Sequence, residues 1–158
     1  MSEFRVELDW TLGSGELTYG KYLPDHTVRF SDTASLVMTT APAYGGNVEL
    51  VNPEQALTAA LASCHMLTFL ALAAKAKWKV VAYSDRPHTV LGKTPDGRIK
   101  IGAITLKPRV TFSGGPAPSV EHLREMHEKA HKFCFVANTL DCVMAVDPIE
   151  VAEIALNP

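Results

Sequence analysis

The sequence predicts an α+β fold, and three observations carry that expectation. Short alternating or β-branched runs fill the first forty residues, a long helical run follows Asn52, and the second half returns to strands around one further helix. Strands, long helix, hairpin, helix and strand is the order expected of helices packed on an antiparallel sheet. At 158 residues the chain has the size of one domain, 1–158, able to bury a core without metal or disulfide staples.

"FRVELDW" alternates Phe4, Val6, Leu8 and Trp10 with polar residues, the period of a strand with one buried face. Gly13 and Gly15 break it, after which "ELTYGKY", "HTVRF" and "ASLVMTT" predict three more strands of an antiparallel meander, and "APAYGGN" a loop. The long helix has a marked start. Asn52 can cap it, Pro53 suits the first helical position, Glu54 complements the positive end of the dipole, and Gln55 completes a capping-box-like pattern. Its end is expected within 75–77. "WKVVAYSD" and "RIKIGAITLKPRVTF" predict the arms of a hairpin around the Asp-Gly turn of "GKTPDGR", with Pro108 marking an edge or bulge. Ser119 fits the cap of a second helix that carries Val120, Leu123, Met126, His127, Ala130 and Cys134 at helical spacing. "CVMAVDPIEVAEIAL" predicts terminal strand structure interrupted at Pro148.

With 47% hydrophobic and 20% charged residues and a formal net charge of -2, the composition is that of a soluble globular protein. No basic surplus points to nucleic acid or an anionic membrane surface. "MSEFRVELDW" has no basic segment leading into an apolar one, so a cytoplasmic protein is expected. Residues 56–74 lack Asp, Glu, Lys and Arg, but Thr58, Ser63, Cys64, His65 and Thr68 interrupt them. They predict a helix buried on most sides of a soluble core rather than a membrane span. Cys64, Cys134 and Cys142 make an odd number of thiols for a reducing compartment, which argues against a disulfide framework and leaves core packing, catalysis or metal binding open.

Cys64 lies twelve residues past Asn52, where the helix dipole has decayed, and its neighbours Ala60, Leu61 and Leu67 would by themselves raise a thiol pKa. Activation has to come from a cation or base elsewhere. His127 and His131 are four apart and Cys134 is seven past His127, so all three fall near one helical face. That pattern suits two ordinary histidines on an amphipathic face. It also suits zinc, although no carboxylate or second cysteine stands at zinc-finger spacing, and no metal is expected. Cys142, in "LDCVMAV", reads as a buried strand residue.

"VNPEQALTAALASCHM" and "HKFCFVAN" resemble the OsmC/Ohr family, the osmotically inducible protein C and organic hydroperoxide resistance proteins, in a subfamily with Phe rather than Pro after the second cysteine. The resemblance runs over nearly the whole chain. It implies antiparallel sheets with two main helices, the long one buried in an intertwined homodimer. It also implies a cofactor-free thiol peroxidase in which Cys64 is the peroxidatic and Cys134 the resolving cysteine, acting on an organic hydroperoxide and reduced by a lipoyl-type dithiol. Met66, Phe69, Phe133 and Phe135 are candidates to line an apolar substrate channel. Asn138 matches a polar family position that orients the turn after Cys134.

One position departs from the pattern. In the family an Arg from the N-terminal strands, held by the Glu of the helix start, here Glu54, stabilises the thiolate. Glu54 is about 15 Å along a straight helix from Cys64, so a bridging Arg or a second subunit would be needed. The expected "Tyr-x-Arg-Asp-His" reads "YLPDH" in this chain, with Pro24 in place of the Arg. Arg29 of "HTVRF" is the candidate replacement, with His26, His65, His127 and His131 as further activating groups. A redox-sensing or small-molecule binding protein that kept both thiols is the alternative to an enzyme.

Overall fold

The computed structural model describes residues 2–114, 117–147 and 150–153. The chain forms two units, Met1–Ala56 and Leu57–Pro158.

In the first unit β1 (Glu7–Asp9), β2 (His26–Ser31) and β3 (Ala34–Met38) form an antiparallel sheet in that order. Leu8 lies opposite Val28, and Val28 opposite Leu36. The predicted meander is present with one strand fewer, because "ELTYGKY" is irregular chain and turn. Gly13 and Gly15 ahead of it and Gly20 within it take positive φ, and Lys21 N–H closes a turn onto the Thr18 carbonyl at 3.0 Å. The segment folds back on the end of β1, where Trp10 Nε1 donates to the Leu23 carbonyl at 2.9 Å and its ring meets Tyr22 edge-on. The buried face expected of the first strand is not covered by this chain: Phe4 is 92% exposed and Leu8 62%.

The helix start forms as the sequence predicts. Asn52 Oδ1 accepts from Gln55 N–H at 2.9 Å while Gln55 Oε1 accepts from Asn52 N–H at 3.0 Å, a reciprocal capping box ahead of α1 (Pro53–Lys75). α1 runs on into the second unit and ends in a Schellman motif. Trp78 N–H reaches the Ala73 carbonyl and Lys77 N–H the Ala74 carbonyl, each at 3.0 Å. Lys77 holds the left-handed position, φ 60°, that glycine usually occupies. This chain alone covers only part of the helix. α1 buries one stripe, Thr58, Leu61, His65, Phe69 and Ala73, while Leu67 is 60% exposed.

In the second unit β4 (Val80–Ser84), β5 (His88–Lys93), β6 (Ile99–Leu106) and β7 (Arg109–Phe112) precede α2 (Val120–Phe133), which is followed by β8 (Val143–Val146) and β9 (Glu150–Glu153). The hairpin is β5–β6, turning at Thr94–Arg98 with Gly97 at φ 86°, and its first arm "HTVLGK" is a strand the sequence pattern did not announce. The predicted single strand through Pro108 is instead two strands, β6 and β7. Pro108 has no N–H to continue a ladder, Lys107 N–H turns aside to Asp85 Oδ1 at 2.7 Å, and β7 pairs with β4. β8 and β9 follow a helical crossover and add in parallel to β6 and β7, so the sheets β5-β6-β8 and β4-β7-β9 are mixed rather than purely antiparallel. Pro148, the predicted interruption, lies outside the described residues.

α2 starts at Ser119, whose hydroxyl accepts from His122 N–H at 3.2 Å, and buries Leu123, His127 and Ala130 at the i, i+4, i+7 spacing. Two apolar clusters result. Phe69 and Ala73 of α1 pack with Val110, Phe112, Leu123 and Ala130. Leu61 packs with Ile104, Leu106, Cys134 and Ala137, and Cys64 lies against this second cluster.

Candidate active site

Cys64 sits half-buried near the middle of α1, and Cys134 is fully buried at the C-terminal end of α2. Helix α2 stops one residue before Cys134, which leaves the helical region (φ -76°, ψ 115°) as its own N–H bonds the His131 carbonyl at 3.2 Å. The chain then makes a tight turn held by Asn138 N–H on the Cys134 carbonyl and by the Asn138 side-chain amide on the Lys132 carbonyl, at 3.0 and 3.1 Å. This turn points main-chain N–H groups back at the sulfurs. Ala137 N–H lies 3.4 Å from Cys134 Sγ.

Burial alone would push the Cys64 thiol up. It is outweighed by donors to the anion, first the Cys134 thiol, then the backbone N–H groups of Val136 and Phe135, and Cys64 ends below its ordinary value, while the Thr68 hydroxyl donates to the Cys64 carbonyl at 2.8 Å. Cys134 moves the other way, pushed up to about 11 by burial and by its neighbour Cys64. The two shifts run in opposite directions, so of the pair Cys64 is the thiol that loses its proton more readily, with the Cys134 thiol beside it as a donor. A hydrogen-bonded thiolate is the nucleophilic form of cysteine, and a protonated thiol in contact with it is placed to form a disulfide later.

The sequence leads to a charged or basic side chain as activator, whereas the groups that hold Cys64 are neutral donors. Main-chain N–H groups carry no residue signature, so Val136 and Phe135 could not have been found by type. Arg29 is half-exposed and bonded to Asp9, with Glu7 at 3.5 Å. His26 Nδ1 donates to the Pro24 carbonyl at 2.9 Å. Glu54 lies in the first turn of α1.

His65 and His127 come together. His65 Nε2 and His127 Nδ1 are 3.0 Å apart, and the residues are 0% and 1% exposed. Of the two histidines expected on an amphipathic face, His127 is buried instead, and His131, half-buried, is not part of the bond. Phe69, expected to line a channel, is core: it is fully buried with its ring stacked on His127 at 4.4 Å. Phe133 and Phe135 are exposed on either side of Cys134, and Met66 is half-buried. A half-open cavity of about 310 Å³ is bounded by Arg124, His127, Glu128 and His131 of α2 and by Met144 and Val146 of β8. Met144 and Val146 also pack on the cluster that holds Cys134. Cys142 is half-buried beside the same cluster.

The OsmC-like protein pattern matches residues 45–148, which include both cysteines. An OsmC-like protein of unknown function from Vibrio cholerae O1 biovar eltor is 34% identical, with 94% of this chain and 99% of that chain covered and a TM-score of 0.88. An organic hydroperoxide resistance protein OsmC from Legionella pneumophila is 18% identical over 96% and 98% of the two chains, with a TM-score of 0.69. The organic hydroperoxide resistance protein OhrB of Bacillus subtilis is 19% identical over 95% and 98%, with a TM-score of 0.64, so these two share the fold. No curated protein matches the sequence. Because the family pattern spans most of the chain and encloses the turn that brings Cys134 to Cys64, this protein belongs to the OsmC-like family.

Proposed function

We propose that the protein is a thiol peroxidase that reduces organic hydroperoxides to alcohols. The observation that carries this reading is that Cys64 lies against the buried Cys134 and has its pKa lowered by the Cys134 thiol and by the main-chain N–H groups of Val136 and Phe135. The thiolate attacks the distal oxygen of the hydroperoxide, the O–O bond breaks, and the alkoxide takes a proton to leave as the alcohol. Cys64 is left as a sulfenic acid. Cys134 then gives up its proton and attacks the Cys64 sulfur; water leaves, and the Cys64–Cys134 disulfide has taken up both oxidising equivalents. An external dithiol of lipoyl type reopens the bond by exchange, which needs neither metal nor flavin. The exposed Phe133 and Phe135, on either side of Cys134, give an apolar substrate body a surface on which to lie.

The same reading includes one domain, a reducing cytoplasmic setting and a homodimer. Helix α1 is long and apolar enough to cross a membrane, yet buries a single stripe. A second copy covering Leu67 and its neighbours removes that apolar surface from water without a bilayer.

The test is to treat reduced protein with cumene hydroperoxide, follow thiol loss and map disulfides by mass spectrometry. Wild type is expected to form the Cys64–Cys134 bond, Cys134→Ser to accumulate sulfenic acid at Cys64, and Cys64→Ser to be inert. Persistence of wild-type thiols through an excess of several hydroperoxides would sink the assignment.

A further inference from the structure

The histidine pair has no part in the peroxidase steps, yet it joins α1, which carries Cys64, to α2, which ends one residue before Cys134. His65 directly follows Cys64 on α1, and His127 stands two turns before Cys134 on α2. With ring planes within 4° and centroids 5.3 Å apart around a 3.0 Å N–N contact, the imidazoles meet edge to edge in one plane, the geometry of a straight N–H···N bond. Phe69, one turn after His65, lies flat on the His127 face and fixes that plane.

Apolar side chains would fill this space without leaving polar atoms unpaired. Among the described residues His65 Nδ1 and His127 Nε2 have no hydrogen-bond partner, and the Tyr83 hydroxyl, on the ring that tilts toward His127, also has none. His131 from α2 faces His65, and Asp85 lies next to Tyr83. A buried polar pair that is costly in this way has one use that leucines cannot supply. Apolar contacts allow one helix to slide on another, whereas a planar hydrogen bond exists at one offset only.

We propose that His65 and His127 are positioning residues for Cys64, their bond fixing the offset of α1 against α2 at which the Phe135 and Val136 N–H groups and the Cys134 thiol meet the Cys64 sulfur. This rests on the reading of Cys64 as the reactive thiol. The ring atoms used make the proposal specific: an Asn amide can replace His127 Nδ1, and a Gln amide can replace His65 Nε2 but overshoots at position 127.

The experiment is the pH dependence of iodoacetamide alkylation at Cys64 in reduced protein, resolved by mass spectrometry. His127→Phe, His127→Asn, His127→Gln and His65→Gln are compared with wild type. His127→Phe keeps the stack on Phe69 and loses the bond. Its alkylation at pH 6 is expected to slow about tenfold, the change for one unit of thiol pKa. His127→Asn and His65→Gln are expected within about twofold of wild type. A wild-type profile for His127→Phe, or equal profiles for His127→Asn and His127→Gln, would overturn the proposal, and the second comparison decides if the Phe variant does not fold. Alkylation uses no peroxide, so a protein inert to hydroperoxides defeats the peroxidase reading and leaves this result to stand by itself.

Discussion

At the scale of residues, the two thiols are shifted in opposite directions, and the groups within this chain that lower Cys64 are neutral hydrogen-bond donors. Cys134→Ala removes the first of the donors that lower the Cys64 pKa, and because a hydrogen bond to an ion is worth about 1.5–3 kcal/mol, a rise of about one unit or more in the Cys64 pKa is expected. Cys134→Ser restores a hydroxyl donor and is expected to hold Cys64 nearer wild type. Alkylation rate against pH measures both, and coincident curves for the Ala variant and wild type would show that the main-chain groups suffice. Both cysteines were singled out in the sequence because their surrounding words resemble a family. The groups that tune them were not, since two are backbone N–H groups and the histidine bond spans 62 positions of sequence.

At the scale of elements, caps were legible and pairings only partly so. Asn52, Gln55 and Ser119 act through the next three residues, so their consequences are written locally. Strand partners are chosen by tertiary contact, and the parallel addition of β8 and β9 left no local mark. At the other end of α1, Lys77 carries a left-handed backbone penalty that Lys77→Gly would relieve, with an expected gain of about 0.5–1 kcal/mol in thermal unfolding after the added freedom of the unfolded chain is deducted. The α1–α2 junction has a pH dependence of definite sign. Burial first, then a facing histidine, pushes His65 down to about 4 and His127 to about 3. Histidines in the unfolded chain take up protons near pH 6.5, so the native state binds fewer protons below that value. Their contribution to stability is expected to be full above about pH 6.5 and to fall from there toward about pH 3. The double variant His65→Gln/His127→Asn should flatten that decline in the melting temperature, and an unchanged slope would assign it to other groups.

At the scale of the whole molecule, the apolar surface that this chain leaves uncovered is the feature to explain, on α1 in particular. The proposed dimer makes a direct prediction: sedimentation should give a mass of about twice 17.2 kDa, and Leu67→Glu should shift it toward the monomer while helical circular dichroism persists. A monomeric wild type at all concentrations would leave the exposed stripe to another partner. By itself the sequence determined where each helix starts, the turn of the β5–β6 hairpin and the α+β class, because capping, turn chemistry and side-chain periodicity act over a few residues, while Cys64 and Cys134 were singled out by resemblance to a family. Only the tertiary structure decided that Pro108 divides a strand, that β8 and β9 join in parallel, and that His65 meets His127. It also decided that Cys64 is held by main-chain N–H groups, since a backbone donor has no identity until folding aims it.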